Sequence, residues 1–210
     1  LIIDDMIEND EKLKLNNYLQ EWINEKIKTE LQSLIELKSI RESNPELRAL
    51  AYHLYENNGV VKRENVNTFL SKLNQEERKK LRKVGVKFGR YHIFLFKLFK
   101  PSAVSLRILL WKCFNEKNLN LSPPTFGLNF LEMKNYTDKE FMLLCGYEKF
   151  DNFFVRIDIL ERLFLMILNS DQAKEKKDVI LKSEMLNLLG CTKENFLKLI
   201  KKMNYKTYEK

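Results

Sequence analysis

The residues of this chain best suited to chemistry lie between Leu81 and Pro101, in LRKVGVKFGRYHIFLFKLFKP. The stretch holds six Lys or Arg, one histidine, Gly85 and Gly89, a block of aromatics and no acid. From Arg78 to Asn115 the chain carries eleven Lys or Arg without a single carboxylate. The first sixty residues hold twelve acids and seven bases, so a net charge of +8 overall becomes +13 over residues 61–210. A one-signed field of that length attracts polyanions.

The spacing suggests how such a partner is held. Lys80, Arg82 and Lys83 crowd the last turns of a helix, and Lys87 and Arg90 flank Gly89, whose bare backbone lets a phosphate come close. Lys97 and Lys100 continue the run. Phe88 and Tyr91 are placed to stack on bases, a contact worth about 1–3 kcal/mol per base. Cations interleaved with aromatics suit a single strand of RNA or DNA better than a duplex groove. Structural uses compete with this reading. Cations near a helix C-terminus complement its dipole, Phe88, Ile93, Phe94, Leu95, Leu98 and Phe99 suit a core, and a charge run also suits a solvated face or pairing with the acidic first sixty residues.

Other chemistry finds little support. No glycine is followed by lysine, so the phosphate-cradling G-x-x-x-x-G-K-[ST] loop is absent, as is G-x-G-x-x-G. His53 and His92 are the only histidines, and no Cys or His pair stands at metal-ligand spacing. His92, in an aromatic run, reads as a core or hydrogen-bonding group, and Asp158 with Glu161 reads as a helix cap. We therefore assign no catalytic residue, no metal and no cofactor to this chain and do not expect it to be an enzyme alone. Cys113, Cys145 and Cys191 are odd in number and far apart, which favours a reducing, cytoplasmic setting over a disulfide framework. No apolar run approaches the roughly 20 residues that span a bilayer, no secretion leader is read, and no membrane partner is expected.

The elements that must position these residues are mostly helical. Apolar spacing predicts one long helix over 11–40, a second opening at Pro45 and closed by Gly59, and a third over VVKRENVNTFLSKLN. Asn74 is expected to cap QEERKKLRKV, which Gly85 ends. VKFGRYHIF suits a tight two-stranded turn, and a helix resumes after Pro101. EKNLNLSPPTFG, 116–127, is the best loop or boundary. TDKE at 137–140 and DILE at 158–161 resemble capping boxes, with YEKFDNFFVRID between them as strand or turn. SEMLNLLGCTKENFLKLIKKMNY reads as a helix–turn–helix outline, DQAKEKKD (171–178) as a charged loop, and no internal repeat is found.

The expected fold is mainly α: a multi-helix chain of eight or nine helices with one or two short β-hairpins and a C-terminal helix–turn–helix-like pair. Residues 1–115 would form a helical lobe carrying the basic region, and 128–210 a smaller, mostly helical lobe.

Four stretches, RALAYHLYENNGVVKRENV, LRKVGVKFGRYHIFLFKLFKPSAVSLRILLW, VRIDILERL and SEMLNLLGCTKENFLKLIKKMNY, together resemble the region that follows the motor in bacterial superfamily-two helicases related to the mitochondrial RNA-degradosome helicase. The likeness covers most of residues 15–205, and its most specific parts are the G-V-x-F-G and R-x-D-x-L-E-R-L blocks. That family often has proline where this chain has Phe96. The resemblance implies an accessory, non-motor part of an ATP-dependent helicase. Motor domains in cis, with ATP and Mg, would lie in sequence upstream of Leu1, and a nuclease is a candidate partner. The alternatives are a protein-docking module and an independent helix–turn–helix DNA-binding protein.

Overall fold

The computed structural model describes residues 8–40, 44–115, 120–134, 138–169 and 181–205. Among these residues 64% are helical, with ten α-helices and two small three-stranded sheets, so the mainly α expectation holds and the strands are more numerous than the sequence suggested.

The chain opens with α1 (Asn9–Glu30), which has no buried residue. Its apolar side chains Leu13, Tyr18 and Trp22 are exposed, and only Ile23 and Ile27 reach the core. The helix expected to run from 11 to 40 breaks at Leu31, where the backbone turns to φ −107°, ψ 17° and α2 (Gln32–Lys38) restarts with Leu37 buried. Burying Leu31 and Leu37 against later helices outweighs helical continuity. Pro45 opens α3 (Pro45–Glu56), capped by the Asn44 side chain, and Gly59 follows with φ +82°.

The stretch read as a third helix begins instead as strand β1 (Val60–Lys62), and α4 (Arg63–Lys72) follows. The two valines suit a strand, and β3 (His92–Leu95) supplies the hydrogen-bonding edge: Val60 pairs with Phe94 and Lys62 with His92. A two-residue turn leads to α5 (Gln75–Val84), whose capping box joins Asn74 and Glu77 as the spacing predicts, and Gly85 ends it at φ +105°. Hairpin β2 (Val86–Phe88)–β3 then completes a sheet in the order β1-β3-β2. Residues 45–95 thus make a helix–strand–helix–turn–helix unit with a hairpin wing. A 3₁₀ turn, Phe96–Phe99, leads into α6 (Pro101–Phe114).

The second half repeats the order of strand and hairpin with one helix fewer between them, which the sequence did not reveal. After α6 come β4 (Phe130–Glu132), α7 (Lys139–Leu144), Gly146 at φ +91°, and hairpin β5 (Tyr147–Phe150)–β6 (Phe153–Arg156), in sheet order β4-β6-β5. The cap of α7 is Asp138, whose side chain accepts from Phe141 N at 2.7 Å; Thr137 lies outside the described residues. α8 (Ile157–Leu168) follows directly, then α9 (Ser183–Leu189), Gly190 at φ +69°, and α10 (Lys193–Lys202), capped by Thr192. The charged stretch 171–178 lies outside the described residues.

The lobes do not part cleanly at 116–127. Ala103 and Leu106 of α6 belong to the first core with Leu47, Leu50, Leu54, Leu81, Ile93 and Leu95, whereas Val104 and Ile108 pack on Phe141, Met142 and Phe154 of the second unit. Val60 and Phe94 of the first sheet meet Ile157 at the start of α8 in a further buried contact. The last three helices close around Leu160, Leu163, Met185, Phe196 and Leu199. No described helix is long and apolar enough to cross a membrane.

Candidate nucleic-acid interface

The wing tip, Gly89-Arg90-Tyr91, is the centre of the site, and it is not open as the sequence suggested. Glu161 of α8 fills it. Its carboxylate accepts the backbone N–H groups of Arg90, Tyr91 (2.9 Å) and His92 (2.7 Å). A Cβ on Gly89 would overlap that carboxylate. The anion expected to approach the bare backbone is the protein's own. DILE is accordingly not a capping box: α8 starts at Ile157, its N-cap Arg156 makes no side-chain cap bond, and Asp158 instead takes a bidentate bond from Arg156 at 2.7 Å.

His92 sits beneath, 3% exposed, between two buried carboxylates: Nδ1 lies 3.2 Å from Glu161 Oε1 and Nε2 3.1 Å from Glu148 Oε2. Lys62 closes the chain of charges 3.0 Å from Glu148. Burial pulls the His92 pKa down, but the two carboxylates outweigh it and hold the imidazole above its ordinary value. Burial pushes Glu161 and Glu148 up. For Glu161 the imidazole and three backbone donors more than reverse this, as His92 and Lys62 do for Glu148, so both stay below the usual carboxylate range. Arg63 ties the wing from below, its Nη1 donating to Gly89 O at 2.8 Å and its backbone N–H to Tyr91 O at 2.7 Å. His92 is thus a hydrogen-bonding core residue, and every proton on it faces a carboxylate.

Beside the wing lies an open cleft of about 540 Å³. Its lining draws the basic residues Lys62, Arg63, Arg90 and Lys202 together with Tyr91 and Phe164, and Asn67 and Asn204 contribute amides. Glu64 and Glu148 are its acids. Tyr91 is 44% exposed and its ring rests on Phe164, with centroids 3.9 Å apart. Burial, and then the Tyr91 hydroxyl, push Tyr205 behind it up to about 12.

The structure divides the residues proposed from sequence. Arg90 and Tyr91 line the cleft. Lys80, Arg82 and Lys83 are exposed on α5, and Lys87 is exposed on the edge strand β2. Phe88 is half-buried, packs against the first core and lies under the Arg82 guanidinium at 5.4 Å, so one of its faces is already used. Lys97 and Lys100 follow the end of β3 remote from the wing tip, both exposed. Arg78 and Arg107, among the eleven cations, have structural work. Arg78 donates to Leu70 O and Leu73 O at the end of α4. Arg107 is buried, donates to Asn58 O and Leu98 O, and is lowered to about 10 by burial. None of Arg82, Lys83, Lys87, Arg90, Lys97 and Lys100 enters an ion pair among the described residues, and Glu46 of α3 pairs with Lys72.

Sequence reasoning missed Glu148, Glu161, Lys62, Arg63 and Lys202. One signal was present: Glu161 lies on the stripe Ile157-Leu160-Phe164, where an acid must find a buried partner. All three cysteines are free, and burial raises Cys145 to about 12 and Cys191 to about 11, which suits packing and not nucleophilic use. Among the described residues no group of three or more His, Cys, Asp or Glu is arranged to hold a metal ion. No protein-family model, curated protein or solved structure matches the chain.

Proposed function

We propose that this chain is a nucleic-acid-binding region, without a motor of its own, that guides or grips a single strand beside an ATP-dependent helicase motor. One observation carries the binding part: six exposed cations, Arg82, Lys83, Lys87, Arg90, Lys97 and Lys100, stand without carboxylate partners among the described residues. Unneutralised positive charge around a folded surface gains free energy by releasing counterions from a phosphate backbone. Such contacts position a strand without reading its sequence. The helicase part rests on the sequence resemblance, and ATP with Mg would belong to that motor.

Binding of labelled twelve-residue oligouridine and oligothymidine, followed by fluorescence anisotropy across a salt series, tests the reading. Affinity should fall steeply between low and moderate salt, and combined Lys83→Glu, Lys87→Glu and Arg90→Glu should weaken it at least about tenfold, since each lost phosphate contact lowers the slope by about 0.7. An affinity indifferent to salt would refute it. A docking role has its own support in the exposed Leu13, Tyr18 and Trp22 of α1. It predicts that the charge-reversed protein still recruits a partner such as a nuclease.

A further inference from the structure

We infer that the cleft between the wing tip and the end of α10 is a seat for one nucleotide of the bound strand, with a base stacked on Tyr91 and the adjoining phosphate held by Arg90. This rests on the reading above and says where the strand is gripped.

Three observations converge on the cleft. Its size, about 540 Å³, is that of sites which bury one small ligand, about 300–1,000 Å³. Its platform is already set: Phe164 backs one face of Tyr91 at 3.9 Å while 44% of the residue remains exposed. A strand that stacks there finds the ring already oriented and loses little side-chain entropy in fixing it. The charges are sorted so that Arg90 is left over. Lys62 is held by Glu148, Lys202 by Asp151 at 2.7 Å, and Arg63 by the Gly89 carbonyl. The Arg90 backbone is anchored by Glu161; the residue lines the cleft, is exposed, and makes no ion pair with a carboxylate among the described residues. A cation at the lip of a concave, partly apolar wall acts on a phosphate more strongly than one on an open helix face. Asn67 and Asn204 offer amides to a base edge, which every base can use in some orientation. The alternative seat, the α5 face, offers cations but a half-covered Phe88.

The decisive measurement compares Arg90→Ala and Tyr91→Leu, each of which keeps the backbone N–H that Glu161 holds, with Lys83→Ala/Lys87→Ala on the open face. Oligouridine and oligothymidine are titrated over a salt series, and 5-iodouridine or 5-iododeoxyuridine versions are photo-crosslinked and mapped. Tyr91→Leu should weaken binding about tenfold at every salt, leaving the slope unchanged, because it removes stacking and no charge. Arg90→Ala should weaken it and lower the slope by about 0.7, one phosphate contact on a single strand. Crosslinks should fall on Tyr91, and the two oligomers decide between RNA and DNA. Salt-sensitive binding by the unaltered protein, with both cleft variants equal to it, would overturn the nucleotide seat and leave the general reading standing. No binding by the unaltered protein would overturn both.

Discussion

The two hairpin wings have the same connectivity and opposite means of attachment. The first reaches across to α8 and wraps its backbone around Glu161, inside a network that runs through His92 and Glu148 to Lys62. The second turns at Asp151 (φ +59°) and Asn152; Phe150 and Phe153 beside the turn pack into the core that α10 shares, and the ion pair from its tip to α10, Asp151–Lys202 at 2.7 Å, is half-exposed. Buried charges bonded on every side are costly to orphan, by about 3–5 kcal/mol when one partner is removed, whereas a solvent-exposed pair is worth about 0–1 kcal/mol. The pattern makes the polar joint at the first wing rigid and the Asp151–Lys202 joint at the second soft, the second wing being seated by apolar packing instead, and the cleft lies between them.

The largest effect should come from breaking the rigid joint. Glu161→Ala leaves three wing-tip N–H groups and His92 without their acceptor, and denaturant unfolding should show a loss of about 3 kcal/mol or more. Gly89→Ala should be comparably harmful, because its methyl would overlap both the carboxylate and the His92 backbone carbonyl, 2.6 Å away. The comparison sharpens in the double variant: once Glu161 is shortened, the alanine at 89 should cost less, with only the carbonyl clash left, giving a coupling free energy of about 1–3 kcal/mol. Additive losses would mean that the two residues do not share a space.

A smaller effect is expected from pH. His92 is held above its ordinary value, so its contribution is complete below about 6.5 and lost as pH rises through its raised folded pKa. Glu148 and Glu161 are held below theirs, so their contribution is complete above about 4.5 and lost as pH falls through the lowered values. The urea midpoint should therefore peak in mildly acidic solution. His92→Gln should lower the midpoint and flatten its alkaline limb, and an unchanged limb would show that another group titrates there. The smallest effect belongs to the soft joint: Asp151→Asn should cost under about 1 kcal/mol and vanish in high salt.

Where the sequence was informative, the reason was local. Pro45 opens α3, Asn74 caps α5 and Gly85 stops it, and each needs only neighbours within a turn. Strand β1 was illegible because its three residues become a strand only through β3, thirty residues later. Glu161 was misread for the same reason: its spacing from Asp158 satisfied a local rule, but its partners lie about seventy residues upstream. The basic run was visible as a charge pattern. Its division into structural, open-face and cleft-lining cations depends on packing that one-dimensional spacing does not encode.

The Glu161 clasp also bears on the order in which the chain acquires its shape. During synthesis the wing can pair its strands as soon as Leu95 has emerged, but its tip amides must stay in water until a further sixty-six residues have followed and α8 has folded. Closing so long a loop comes late, and the first unit is finished by the second.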